Sequence, residues 1–134
     1  MTLQQQLVSA LDEILPIQEE ADGAITVHHD ATFASLRVVT IAEGLDLISL
    51  TQVLAWDLPV DSKVRAQVAK HARETLLGTV SLAEKSAKSN SKKIGDVLLR
   101  YNFPAAGLTD EALRTLILMV LATGADVRRA LVPD

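Results

Sequence analysis

The chain has no cysteine. That absence excludes disulfides, thiolate nucleophiles and cysteine-ligated zinc, and it fits a reducing compartment. Aromatic residues are almost as scarce: Phe33, Trp56, Tyr101 and Phe103 are the only ones among 134 residues. Any core must therefore be aliphatic. Long apolar runs are missing too, since the longest, Leu116 to Ala122, falls far short of the roughly 20 residues that span a bilayer. The opening MTLQQQLVSALDEILP carries Asp12 and Glu13 and no basic stretch, unlike a secretory leader. Positive charge is not in excess either. The formal net charge is −4, whereas nonspecific nucleic-acid affinity rests on clustered Lys and Arg that neutralise phosphates. The expectation is a soluble cytoplasmic protein that contacts neither membrane nor nucleic acid.

What the chain does have is aliphatic residues in periodic order. Apolar side chains make up 49% of it, and a chain this long buries roughly two-thirds of its extended surface on folding, so residues 1–134 read as one domain with a substantial core. Leu3, Leu7, Val8, Leu11, Ile14 and Leu15 mark one face of a helix that Pro16 stops. The acidic residues Glu19 to Gly23 read as a turn. Strands follow around Ile25 and Val27 and over Phe33 to Ile41, with His29 to Thr32 supplying a hairpin turn.

From Asp46 to Leu58 the alternation puts Ile48, Leu50, Leu54, Trp56 and Leu58 on one side, interrupted by Gln52. Pro59 ends that strand. Asp57 or Asp61 then caps a second helix with Val60, Val64, Val68, Ala72 and Leu76 on its apolar side and Gly78 as its terminal glycine. Thr79 to Lys85 and Ile94 to Phe103 form an antiparallel pair joined by the lysine-rich Ser86 to Lys93. Thr109 caps the last helix, Asp110 and Glu111 favour its positive end, Leu108 staples onto Leu113, and the helix runs through Leu131 to Pro133. The order is α-β-β-β-α-β-β-α. Short links between successive strands predict an α+β fold with a mainly antiparallel sheet of about five strands and three helices.

The residues that carry chemistry are dispersed. His28 and His29 are neighbours on a strand and point to opposite faces, and His71 sits beside Lys70 and Arg73 on the second helix, so the histidines make no ligand set. No glycine pattern forms a phosphate loop and no serine sits in a nucleophile elbow. The acidic pairs Asp12–Glu13 and Glu19–Glu20 read as solubilising charge. Lys85, Lys88, Lys92 and Lys93 form a basic run without the interleaved aromatics that stack bases. These observations point away from an enzyme and call for no cofactor or metal.

The surplus is apolar instead. The second face of the Asp46 to Leu58 strand carries Leu47, Ser49, Thr51, Val53 and Ala55, small and half-apolar where a solvent face usually bears charge. Leu118 and Met119 widen the stripe of the last helix, and Val64 and Val68 line the second. Gly124 falls on the inward side of the last helix, where the missing side chain lets another backbone approach closely. Together these residues form the expected surface for a polypeptide partner or a second copy.

The element order, together with the segment VLLRYNFPAAGLTDEALRTLILMVLATGADVRRAL from Val97 to Leu131, resembles the type III secretion chaperone-like fold, in particular its bacterial YbjN-type branch. The resemblance in order covers nearly the whole chain. It implies a chaperone-like homodimer that binds extended segments of partner proteins and has no enzymatic activity. The alternative expectation is a sensor that holds a small ligand between sheet and helices.

Overall fold

A computed structural model describes residues 2–86 and 92–132. The elements are α1 (Leu3–Asp12), β1 (Ile17–Glu19), β2 (Ile25–His29), β3 (Thr32–Ala42), β4 (Leu45–Pro59), α2 (Ser62–Glu74), β5 (Thr79–Ser86), β6 (Lys93–Pro104) and α3 (Asp110–Leu131). The fold is α+β, and its six strands form one antiparallel sheet in the order β1-β2-β3-β4-β6-β5. Of the lysine-rich connection, residues 87–91 with Lys88 lie outside the described residues, as does Pro133.

The extra strand is β1, which pairs Ile17 with Val27 and Glu19 with Ile25. Three residues behind a proline are too short to show a period. The expected acidic turn contracts to the link between β1 and β2, where Gly23 has φ 91°.

Helix ends follow side-chain chemistry. Thr2 and Gln5 form a reciprocal capping box on α1, Asp61 accepts from the Val64 N–H at 2.8 Å at the start of α2, and Thr109 accepts from Ala112 at 3.0 Å at the start of α3. α2 stops sooner than its pattern predicts. Thr75 turns extended, and both its N–H and its hydroxyl donate to the His71 carbonyl, at 2.9 and 2.6 Å. That caps the helix before Leu76, which is left 89% exposed. Gly78 consequently lies beyond the helix, in the bend into β5. Its φ is 85°, and an added Cβ would press on the Arg100 carbonyl and the Leu99 side chain, so glycine is required there by both conformation and space.

All three helices lie on one side of the sheet. α3 packs on β2, β3 and β4 and against α1, while α2 packs on β5 and α3. The core between the layers is aliphatic: Leu7, Leu11, Ile25, Leu36, Ile48, Leu50, Leu54, Leu99, Leu113, Ile117 and Leu121 are all completely buried. Each such side chain contributes about 1.5–3 kcal/mol relative to exposure.

Candidate functional site

Among the described residues, no helix covers the other side of the sheet. Its surface is set by alternation along β3, β4 and β6. Register places Phe33, Val53 and Leu98 in one cross-strand row, with His28 and Ser81 at its ends. The next row is Ser35, Thr51, Arg100 and Thr79, and the one after it Arg37, Ser49 and Asn102. Val39, Leu47 and Pro104 close the far end. The face is thus apolar at both ends and hydroxyl-rich across its middle.

Of the residues expected to form a partner surface, Leu47, Ser49, Thr51 and Val53 lie together on this face, each half-buried by its neighbours. Ala55 does not. The β4–β6 register shifts between Val53 and Ala55 and again between Ala55 and Leu58; the first bulge reverses the alternation and the second restores it at Leu58. Ala55 turns into the core, 1% exposed, and Trp56 turns out of it, 51% exposed. Trp56 reaches Phe33 on the bare face, with ring centroids 6.1 Å apart, and the Arg128 guanidinium lies 5.9 Å from the indole. Strict period-2 reading placed Trp56 in the core; a bulge leaves no mark in a hydrophobic pattern.

Two further residues are also interior. Val68 is buried beneath α2, with Val64 half-buried one turn before it, and Gly124 is buried beneath α3. Neither Val68 nor Gly124 can meet a partner. Met119 is exposed on the outer side of α3 beside the half-buried Leu118, and with Leu108, Ala112 and Leu116 it borders a shallow apolar groove.

Gly124 faces a side chain where a neighbouring backbone was expected. The carboxamide of Gln52 fills the space of the missing Cβ. Gln52, the polar interruption in the β4 pattern, is completely buried. Its Nε2 donates to the Thr32 hydroxyl at 2.9 Å and to the Leu121 carbonyl at 3.1 Å. Both can only accept here, since the Thr32 hydroxyl itself donates to the His29 carbonyl at 2.7 Å, and this sets the orientation of the amide. Gln52 Oε1 has no conventional donor and lies against the Cα–H of Gly124, a weak donor. Two breaks in pattern, a glutamine in a core strand and a glycine inside a helix, explain one another. Read as a pair, they would have located this contact from the sequence.

Charge gathers around the rim. Arg37 pairs with Asp22 at 2.6 Å, and that guanidinium, with the Ala24 N–H, holds the Asp22 carboxyl below the usual range. Lys85 bridges Asp57 at 2.7 Å and Asp96 at 3.0 Å, and both carboxylates raise its ammonium above the ordinary lysine value. The Asp96 carboxyl is lowered first by the N–H of Asp57, then by Lys85. Arg129 pairs with Asp126 and with Asp30, in that order of effect, and its guanidinium is raised.

His28 and His29 diverge as expected, one exposed and one half-buried. Among the described residues, no three His, Asp or Glu side chains converge as a metal site, and no helix is long and apolar enough to cross a membrane. In comparisons with known proteins, no family model, no curated protein and no solved structure matches this chain.

Proposed function

We propose that this chain is a non-enzymatic, chaperone-like module that binds other polypeptides across the bare face of its sheet. One observation carries the proposal: the helices cover one side only, and the other presents aliphatic side chains together with Phe33 and Trp56, half of the chain's aromatics. Large exposed apolar patches on folded domains mark sites of association. Homodimerisation belongs to the same proposal. The groove beside Met119 is a second apolar surface, so two copies joined along α3 would leave both sheet faces open to partners. A small ligand held between sheet and helices has less support, because that space is filled by the core side chains.

The absence of cysteine gives a clean test. A photo-crosslinker is attached through Ser49→Cys on the bare face and, as a control, through Ser9→Cys, an exposed position on α1. In lysate, the Ser49 probe is expected to yield polypeptide adducts that the control does not. Equal labelling by both probes, or none from Ser49, refutes docking on this face. Light scattering is expected to show a dimer that Met119→Glu dissociates.

A further inference from the structure

We infer that the partner docks as an amphipathic helix whose apolar side chains pack on Trp56 and Leu98 and whose carboxylate, one turn beyond the side chain on Leu98, pairs with Arg100. This rests on the bare face being a docking surface and goes on to name what docks there.

The anchor is Trp56. The bulge between Val53 and Ala55 turns it out of the core, and a second register shift with a left-handed residue, Asp57 at φ 57°, follows directly after it. Non-glycine residues at positive φ are uncommon, and a tryptophan that is 51% exposed forgoes about half of the roughly 150–250 Å² that such a side chain can bury. The strain is held in place by the Asp57 N–H, which donates to Asp96 at 3.0 Å. The indole is held between Phe33 and Arg128, whose Nη1 donates to the Leu54 carbonyl at 2.8 Å. A half-exposed indole against Phe33, whose cross-strand row continues through Val53 and Leu98, is the kind of aromatic anchor that dominates interface energies.

The carboxylate is called for by Arg100. It stands two residues from Leu98 on the same face of β6, about 6.7 Å along the strand, between Thr51 and Thr79. Among the described residues it has no ion-pair partner. Four carboxylates that border the face are engaged already, Asp22 by Arg37, Asp57 and Asp96 by Lys85, and Glu20 by the Thr26 hydroxyl at 3.0 Å, and Glu43 lies off the face in the β3–β4 turn, beyond the Val39–Leu47 end. A second copy of the face therefore brings no free acid to Arg100, whereas a partner bearing its own does.

A helix suits the face better than an extended strand. Its backbone hydrogen bonds are internal, whereas a strand laid flat on a sheet has no ladder to join. Residues three or four apart on a helix lie about 5–6 Å apart, close to the Leu98-to-Arg100 spacing.

The probe is a displayed library of 14-residue helices, selected on the full-length chain and in parallel on Arg100→Gln and Trp56→Ala, each checked for a native circular dichroism spectrum. Enrichment of an apolar residue followed by Glu or Asp three or four positions on is expected. Synthetic winners should lose about tenfold in affinity on Arg100→Gln, the scale of a charge-assisted hydrogen bond, and about thirtyfold on Trp56→Ala. Replacing the peptide acid by Gln should abolish the dependence on Arg100. Winners without acids, or indifferent to Arg100, overturn this inference and leave polypeptide docking standing. A library that enriches equally on wild type and Trp56→Ala overturns both. Should Trp56→Ala unfold, Thr51→Lys blocks the same footprint and replaces it. Salt-sensitive binding of a single-stranded oligonucleotide, or a concentration-dependent blue shift of Trp56 showing a second copy over it, would also overturn the helix.

Discussion

The two sides of β4 share one backbone and have opposite fates. Ile48, Leu50, Gln52 and Leu54 are fully buried under α3, while Leu47, Ser49, Thr51 and Val53, interleaved with them, keep part of their surface in solvent. On the covered side a polar group must find its partners inside, and Gln52 does so for Nε2, which donates to Thr32 and Leu121, while Oε1 rests in the notch at Gly124 without a conventional donor. The bare side is under no such demand. It carries an arginine that has no ion-pair partner among the described residues, which the covered side could not tolerate, and a tryptophan left half-exposed. Shape is dictated on one side, and chemistry remains available on the other.

Truncation on each side tests this contrast most strongly. Leu50→Ala should lower unfolding free energy by about 2–5 kcal/mol, whereas Thr51→Ala, the next residue, should stay within about 0.5 kcal/mol. Urea denaturation measures both, and comparable losses would erase the distinction between the faces.

Gly124→Ala probes the notch. In an open helix the change stabilises by up to about 1 kcal/mol, but here the methyl overlaps the Gln52 carboxamide, and a loss of about 1–3 kcal/mol is expected. The loss should not depend on protein concentration, because the contact lies within one chain. Gln52→Ala makes room for the methyl, so the double variant should lose less than the sum of the single ones. Additive losses would mean that the two residues do not share the space.

The smallest effect is electrostatic and belongs to the rim of the bare face. Asp22 and Asp96 have folded pKa values below their ordinary ones, so their contribution is complete above about pH 4, the unfolded aspartate value, and fades as pH falls through the folded values. Exposed pairs contribute little, and Asp22→Asn should flatten the acid limb of a stability profile only slightly. An unchanged profile below pH 4 would remove Asp22 from the account.

Much of this was legible beforehand. Thr109 with Asp110 and Glu111 located the start of α3, and the alternation from Asp46 to Leu58 located β4, because caps and periods are local properties written in neighbouring residues. The candidate face was half legible: Leu47 to Val53 share the exposed side as their alternation implies and Gly124 faces inward as its spacing implies, whereas Ala55 and Val68 are buried. The early stop of α2 at Thr75 and the strand Ile17–Glu19 left too little pattern to read.

By itself the sequence determined the order of the three helices and of five of the six strands, the aliphatic core and the antiparallel α+β class, since each follows from composition, spacing and short links along the chain. Only the tertiary structure decided that all three helices gather on one face, that bulges turn Trp56 outward, and that Gln52 seats against Gly124. Those outcomes depend on contacts between residues far apart in the chain, such as β4 with β6 and β4 with α3. A side chain's face after a bulge, or its partner across a core, is fixed by the register of two elements meeting in space, which no single stretch of sequence contains.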